Sequence, residues 1–212
     1  MIFFEISIRL FRELRNNPKS IYFLVKAFIR GFLYIGFCRL FRKNVKIRLP
    51  FLVYYRVKIC GPGSVLIDRG CSVFPNMFDG LTIVTLSSNA QVLIGKGCDL
   101  GGVTIRCHKR VEIGEHGLFA NCLIQDALFS VARPDSSRAN KNLIKPREIY
   151  IGNRVWLAGQ TIVLPGSKIG DESVLSVGGV CFDHHIPERH LAVGNPVMSS
   201  LNIEKIGNFF GN

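Results

Sequence analysis

Aliphatic residues recur at every sixth position through the later part of this chain, each followed by a small or polar residue. The clearest stretch runs Ile151-Gly152-Asn153-Arg154-Val155-Trp156, then Leu157-Ala158-Gly159-Gln160-Thr161-Ile162 and Val163-Leu164-Pro165-Gly166-Ser167-Lys168. Ile169-Gly170-Asp171-Glu172-Ser173-Val174 and Leu175-Ser176-Val177-Gly178-Gly179-Val180 complete five hexads in register. Weaker copies start at Ile94 and Ile113. A period of six is neither helical (about 3.6) nor that of a plain alternating strand (about 2). It predicts a solenoid: each hexad is one short strand plus a turn, stacked into a parallel β-helix. The first aliphatic of each hexad is expected to point inward, and position two to be small because the backbone turns tightly there.

The first fifty residues follow another pattern. Their apolar stretch from Ile21 to Phe41 is interrupted by Lys26, Arg30 and Arg39, and its longest charge-free run is Gly31 to Cys38. A spanning helix needs about 20 mostly apolar residues, so a transmembrane segment is not expected. Arg9, Arg12, Glu13 and Arg15 crowd the start with no small-residue cleavage site after them, which excludes a signal peptide. Lys19, Lys26 and Arg30 stack on one helical face, with Phe23, Leu24, Phe28 and Leu33 largely elsewhere. That is the profile of a helix lying in a membrane interface, its basic face toward anionic headgroups. The alternative is a helix packed on the protein's own body with its charges solvated. Gly31 and Gly36 are expected to break or bend it.

Charge sharpens this contrast. The chain has 212 residues, enough for one domain, and a net charge of +12. Residues 1–58 hold 13 Lys/Arg against 2 acids, and nine of the 16 Phe. Residues 59–212 hold 14 Lys/Arg against 13 acids, which excludes a uniformly basic nucleic-acid binder. Seven cysteines occur, an odd number without a CxxC pair, so neither a zinc site nor a disulfide framework is expected. Small buried thiols of a cytoplasmic protein fit better. The organisation that follows is a basic helical segment over 1–50, a β-helix over 51–197 with a long polar loop at about 127–147, and a tail over 198–212.

From about residue 57 to 197 the chain resembles the hexapeptide-repeat acyltransferases, most closely in IGNRVWLAGQTIVLPGSKIGDESVLSVGGV and in the ending Ala192 to Pro196, AVGNP. The departures are Ala158, where the family usually has Gly, and VGNPVM, where it usually has AGNPA followed by Lys. The resemblance implies an all-β fold, a left-handed parallel β-helix of three hexads per turn preceded by the α-helical segment. It also implies a homotrimer with acetyl-CoA in a groove between subunits. The implied activity is acetyl transfer to a sugar hydroxyl of a cell-surface polysaccharide or a lipid-linked precursor, on the inner face of the membrane.

In such enzymes a His takes the proton of the acceptor hydroxyl, a weak nucleophile near neutral pH. In the members similar in layout it sits in a D-x-D-x-H stretch just before the long loop. The matching segment is Asp126-Ala127-Leu128-Phe129-Ser130: Asp126 matches the first acid, Leu128 replaces the second, and Ser130 stands where the His belongs. Counting back one turn of about 18 residues from Asp126 reaches His108, which stacking places in the same corner, one rung away. His108 and Asp126 form the candidate dyad, the carboxylate orienting the ring. The alternative is a solvated corner His between Lys and Arg. Trp156 and Ser130 are the candidate acceptor contacts, although Trp156 can equally seal a subunit interface. Gly159, Gly178 and Gly179 are the candidate positions for the pantetheine arm, though tight turns want Gly regardless. His116 and the cluster His184, His185 and His190 rank below these, and no metal is expected. With Ser130 in the base position, a catalytically inactive scaffold or regulatory subunit is the competing class.

Overall fold

A computed structural model describes residues 18–74, 80–128 and 145–204. The coils are parallel and stack into a prism of three faces. The first face carries Val45–Ile47, Ser64–Ile67, Gln91–Ile94, Arg110–Ile113, Ile149–Ile151, Lys168–Ile169 and His185–Ile186, hydrogen-bonded in that order. The second begins with Phe51–Val53 and Cys71–Phe74 and ends with Trp156–Leu157, Val174–Leu175 and His190–Gly194. The third holds Val57–Cys60, Leu81–Thr85, Ile162–Val163 and Val180–Cys181. The strands Asp99–Cys107 and Leu118–Gln125 each run across the second face and round the corner into the third.

The hexad reading holds at the core. Ile151, Leu157, Val163, Ile169 and Leu175 are all fully buried, as is Cys181, which continues the series. Each of these hexads thus delivers one apolar side chain to an axial stack, and burying a large aliphatic one is worth about 1.5–3 kcal/mol. The explanation for position two needs correction. The left-handed residue is the fourth of each hexad: Arg154, Gln160, Gly166, Glu172 and Gly178 all have positive φ. Position two is small for a different reason. A Cβ on Gly114 would lie 2.7 Å from the Gly152 carbonyl, and one on Gly170 would meet the backbone at Pro187 and Glu188, because successive coils stack backbone on backbone there.

The β-helix begins at Val45, ahead of the expected boundary at 51, because Val45–Ile47 already pairs with Val65–Ile67. Its last coil turns back through an antiparallel pairing of His190–Gly194 with Val197–Asn202, so residues 198–202 belong to a hairpin rather than a loose tail. Helix α1, Pro18–Phe41, is unbroken. The expected break at Gly31 does not occur because that glycine is where the helix meets the first coil: a Cβ there would land on the Phe51 carbonyl oxygen. Ala27, Gly31 and Cys38 are buried, spaced along one narrow stripe that rests on the free edge of the first coil. Gly36 faces open space and needs no break either. Arg30 Nη1 reaches the Tyr54 carbonyl at 3.2 Å beside this contact.

Much of the remaining described surface of α1 is exposed and apolar, including Tyr22, Phe23, Phe28, Phe32, Phe37, Leu40 and Phe41. Its segment Ile21–Phe41, 21 residues of mean hydropathy 1.6, is long and apolar enough to cross a membrane by length and composition. The exclusion drawn from the charge-free run is therefore too strict, since Lys26 and Arg30 interrupt the run without making the segment polar. All seven cysteines are free, and all but Cys60 are buried.

Candidate functional site

The coil count places His108 and Asp126 one rung apart, and the structure brings them into contact, but through different atoms from those expected. Asp126 is fully buried. Its Oδ1 accepts the backbone N–H of His108 at 2.6 Å, and its Oδ2 accepts those of Lys109 at 2.6 Å and Arg110 at 2.9 Å. The Cys107 thiol also donates to Oδ2, at 3.5 Å. Burial together with the neighbouring Asp126 charge pushes that thiol up to about 12, which keeps it a donor. The carboxylate therefore pins the corner turn of the coil below. It is committed to main-chain amides, and no described bond joins it to the imidazole. The His108 ring is exposed at this corner. Counting by coils finds the right neighbours but cannot say whether a carboxylate meets a ring or an amide.

Ser130, with residues 129–144 of the long loop, lies outside the described residues. On the two sides of that segment, Asp126 and Arg147 meet: the Arg147 N–H donates to the Asp126 carbonyl at 3.0 Å. Arg147 then pairs with Asp183 at 2.7 Å. Asp126, Arg147 and His108 thus share the edge between the third and first faces.

Trp156 stands outward on the second face, between Leu118 and Val174 on adjacent rungs. With Leu191 next in line, the four form an apolar column that the hexad pattern did not single out. Their position, one before each inward aliphatic, is the signal that could have found it. The candidate glycines divide. Gly179 is structural, since a Cβ there would lie 2.9 Å from the Ser176 carbonyl oxygen. Gly178 has φ +69 and open space around it. Gly159 has open space and no positive φ, so the fold itself does not require glycine there. Behind this corner Thr161 is buried, its hydroxyl the one described buried side-chain polar atom without a partner. An extended ligand arm could approach the backbone at Gly159 and Gly178, and the open space fits that use.

The remaining histidines have local roles. His116, with φ 56, lies over Gly97, whose Cβ would fall 2.5 Å from its Nδ1. His190 Nδ1 lies 2.7 Å from the Glu188 carbonyl, and His185 is exposed on the last rung of the first face. No group of three or more potential metal ligands occurs among the described residues. Nearby, the Arg154 and Arg189 guanidinia hold Glu172 below the usual carboxylate range.

Within one chain the candidates occupy two edges. His108 is at the corner between the third and first faces, and Gly159 and Gly178 are at the corner between the second and third. A face of four or five residues spans about 15 Å, too far for direct proton transfer across it.

No family model matches the chain. It is 44% identical over 57 residues to a putative acetyltransferase of Staphylococcus aureus, covering 27% of this chain and 28% of that protein. It is 33% identical over 88 residues to the galactoside O-acetyltransferase of Lactococcus lactis, covering 42% of this chain and 41% of that protein. The matches thus span less than half the length of these curated relatives. Among solved structures, a mutant of AntD, an N-acyltransferase from Bacillus cereus in complex with dTDP and coenzyme A, superposes with a TM-score of 0.55 at 15% identity. That superposition covers 78% of this chain and 90% of AntD. The chain is a hexapeptide-repeat β-helix, similar over part of its length to acetyltransferases.

Proposed function

We propose that the protein is an acyltransferase that moves acetyl from acetyl-CoA to a sugar hydroxyl. The acceptor is a cell-surface polysaccharide or its lipid-linked precursor. The carrying observation is the partial match to acetyltransferases, including 33% identity over 88 residues to a galactoside O-acetyltransferase. The open, conformationally unnecessary glycine at 159 supports an arm of acetyl-CoA along that corner. In the reaction the acceptor O–H loses its proton to a base, the oxygen attacks the thioester carbonyl, and the thiolate of CoA leaves and is protonated. His108 is the proposed base: its ring is exposed at the corner from which the long loop departs. Because His108 and Gly159 sit on different edges, the reading requires a neighbouring copy, and a homotrimer with sites between subunits supplies it. Trp156 and Ser130 border the acceptor. Residues 1–50 hold the assembly peripherally on the inner face of the membrane, with α1's apolar side in the interface.

The second reading, an inactive scaffold in polysaccharide assembly, is favoured by one observation. The acid that should orient a catalytic His is committed to three backbone amides instead.

Acetyl-CoA separates the two readings. Under the enzymatic one it raises the thermal midpoint of the native protein. His108→Ala then lowers turnover by about 10²–10⁴-fold, the usual worth of a general base, while His116→Ala stays near wild type. An unchanged midpoint and no turnover with any sugar acceptor leave the scaffold.

A further inference from the structure

A cleft of about 450 Å³ opens where α1 meets the first coil. Its walls include Leu33 and Tyr34 from the helix, and Val53 and Tyr55 from the coil. Arg30 and Arg56 stand on its two sides. Both guanidinia are exposed, and neither has a carboxylate partner among the described residues. Arg30 donates to the Tyr54 carbonyl, and Arg56 lies 5.8 Å from the Tyr55 ring centroid. Their neighbourhood lacks counter-charge: residues 18–58 contain ten Lys/Arg and no acid at all. Among the described side chains of these, only Arg48 finds a carboxylate, Asp68 at 3.1 Å.

Two exposed guanidinium groups lining one cleft with an apolar floor match an oxyanion attached to something greasy, and such forks bind phosphate bidentately. What adjoins the cleft says which oxyanion. Leu33 lines it and is 65% exposed, and Phe32, Phe37, Phe28 and Ile29 continue the exposed apolar side of the same helix. A soluble phosphate would leave that surface bare, whereas a lipid places its headgroup at the arginines and its chains along the helix. We propose that this cleft binds the phosphate headgroup of an anionic membrane lipid, so that attachment is site-directed as well as diffuse. The proposal rests on the membrane attachment of α1 and is independent of the acyl-transfer chemistry.

The test uses the full-length protein and a charge-preserving double variant, Arg30→Lys with Arg56→Lys. Net charge is unchanged, so diffuse attraction is unchanged, but the planar forks are lost. Both side chains are exposed, and equal thermal midpoints confirm that the variant folds. Sedimentation with vesicles of phosphatidylcholine containing about one-fifth phosphatidylglycerol should show binding weakened by about fivefold or more, with no change on phosphatidylcholine alone. Equal binding of the two proteins to anionic vesicles overturns the site while leaving membrane attachment standing. Release of the wild type by glycerol 3-phosphate at the concentration of vesicle phosphate assigns the cleft to a soluble phosphate and overturns the lipid assignment. Failure of the wild type to sediment with either vesicle overturns the attachment itself, and the site with it.

Discussion

Replacing Asp126 by Ala leaves three amides without their acceptor at once, those of His108, Lys109 and Arg110. All three bonds are partly buried. At roughly 1 kcal/mol or somewhat more for each amide left without its acceptor, the loss is about 4 kcal/mol. For a domain of this size that corresponds to a fall in thermal midpoint of about 10 °C. Coil stacks unfold with limited cooperativity, so amide exchange at residues 108–110 should accompany the melting curve. His108→Ala, by contrast, removes a solvated ring and should stay within about 0.5 kcal/mol of wild type. The double variant should match the sum of the singles, because the two side chains share no bond. If Asp126 instead oriented the imidazole, Asp126→Ala would leave the midpoint within a degree or two and the pair would couple strongly in turnover. Either result would refute the assignment of Asp126 to the turn.

Two further predictions concern glycines that the pattern alone could not sort. Gly31→Ala drives a methyl into the Phe51 carbonyl and should loosen α1 from the first coil at a cost of about 2–4 kcal/mol, read as faster proteolysis near residue 45, whereas Gly36→Ala should be neutral or slightly stabilising. Gly159→Ala should melt like wild type yet raise KM for acetyl-CoA about tenfold; an unchanged KM removes this corner from the cofactor path.

Periodicity carried the architecture because one strong rule, an aliphatic in every sixth place, is written directly into the residues from Ile151 to Val180. The same rule fails to explain position two, since closeness of one coil to the next is a property of the stack and not of the hexad. Gly31 shows the limit more sharply. Its partner, Phe51, is twenty residues away in a different kind of element, and helix propensity alone argued for a break that tertiary packing overrides. For the site, coil arithmetic correctly paired residues 108 and 126, but direction of approach decides chemistry. The turn at 107–110 offers amides closer to the carboxylate than any ring, and nothing in the residue types announces that preference. The apolar column Leu118, Trp156, Val174 and Leu191 was legible only once the rungs were aligned across the long loop.

A stack of coils has no natural stopping point: each rung offers the next a full row of hydrogen-bonding groups, and an uncovered terminal rung is a template for another molecule. Here the second face is closed at both ends by something that cannot propagate. Helix α1 lies over the row of carbonyls that begins with Phe51, and its outer side carries no strand geometry to copy. At the far end the chain reverses direction, so the last row pairs antiparallel with Val197–Asn202 and the parallel register ends there. The helix proposed to hold the membrane therefore also caps one end of the solenoid, and a chain trimmed back to its hexads would gain a sticky end and grow head to tail into filaments.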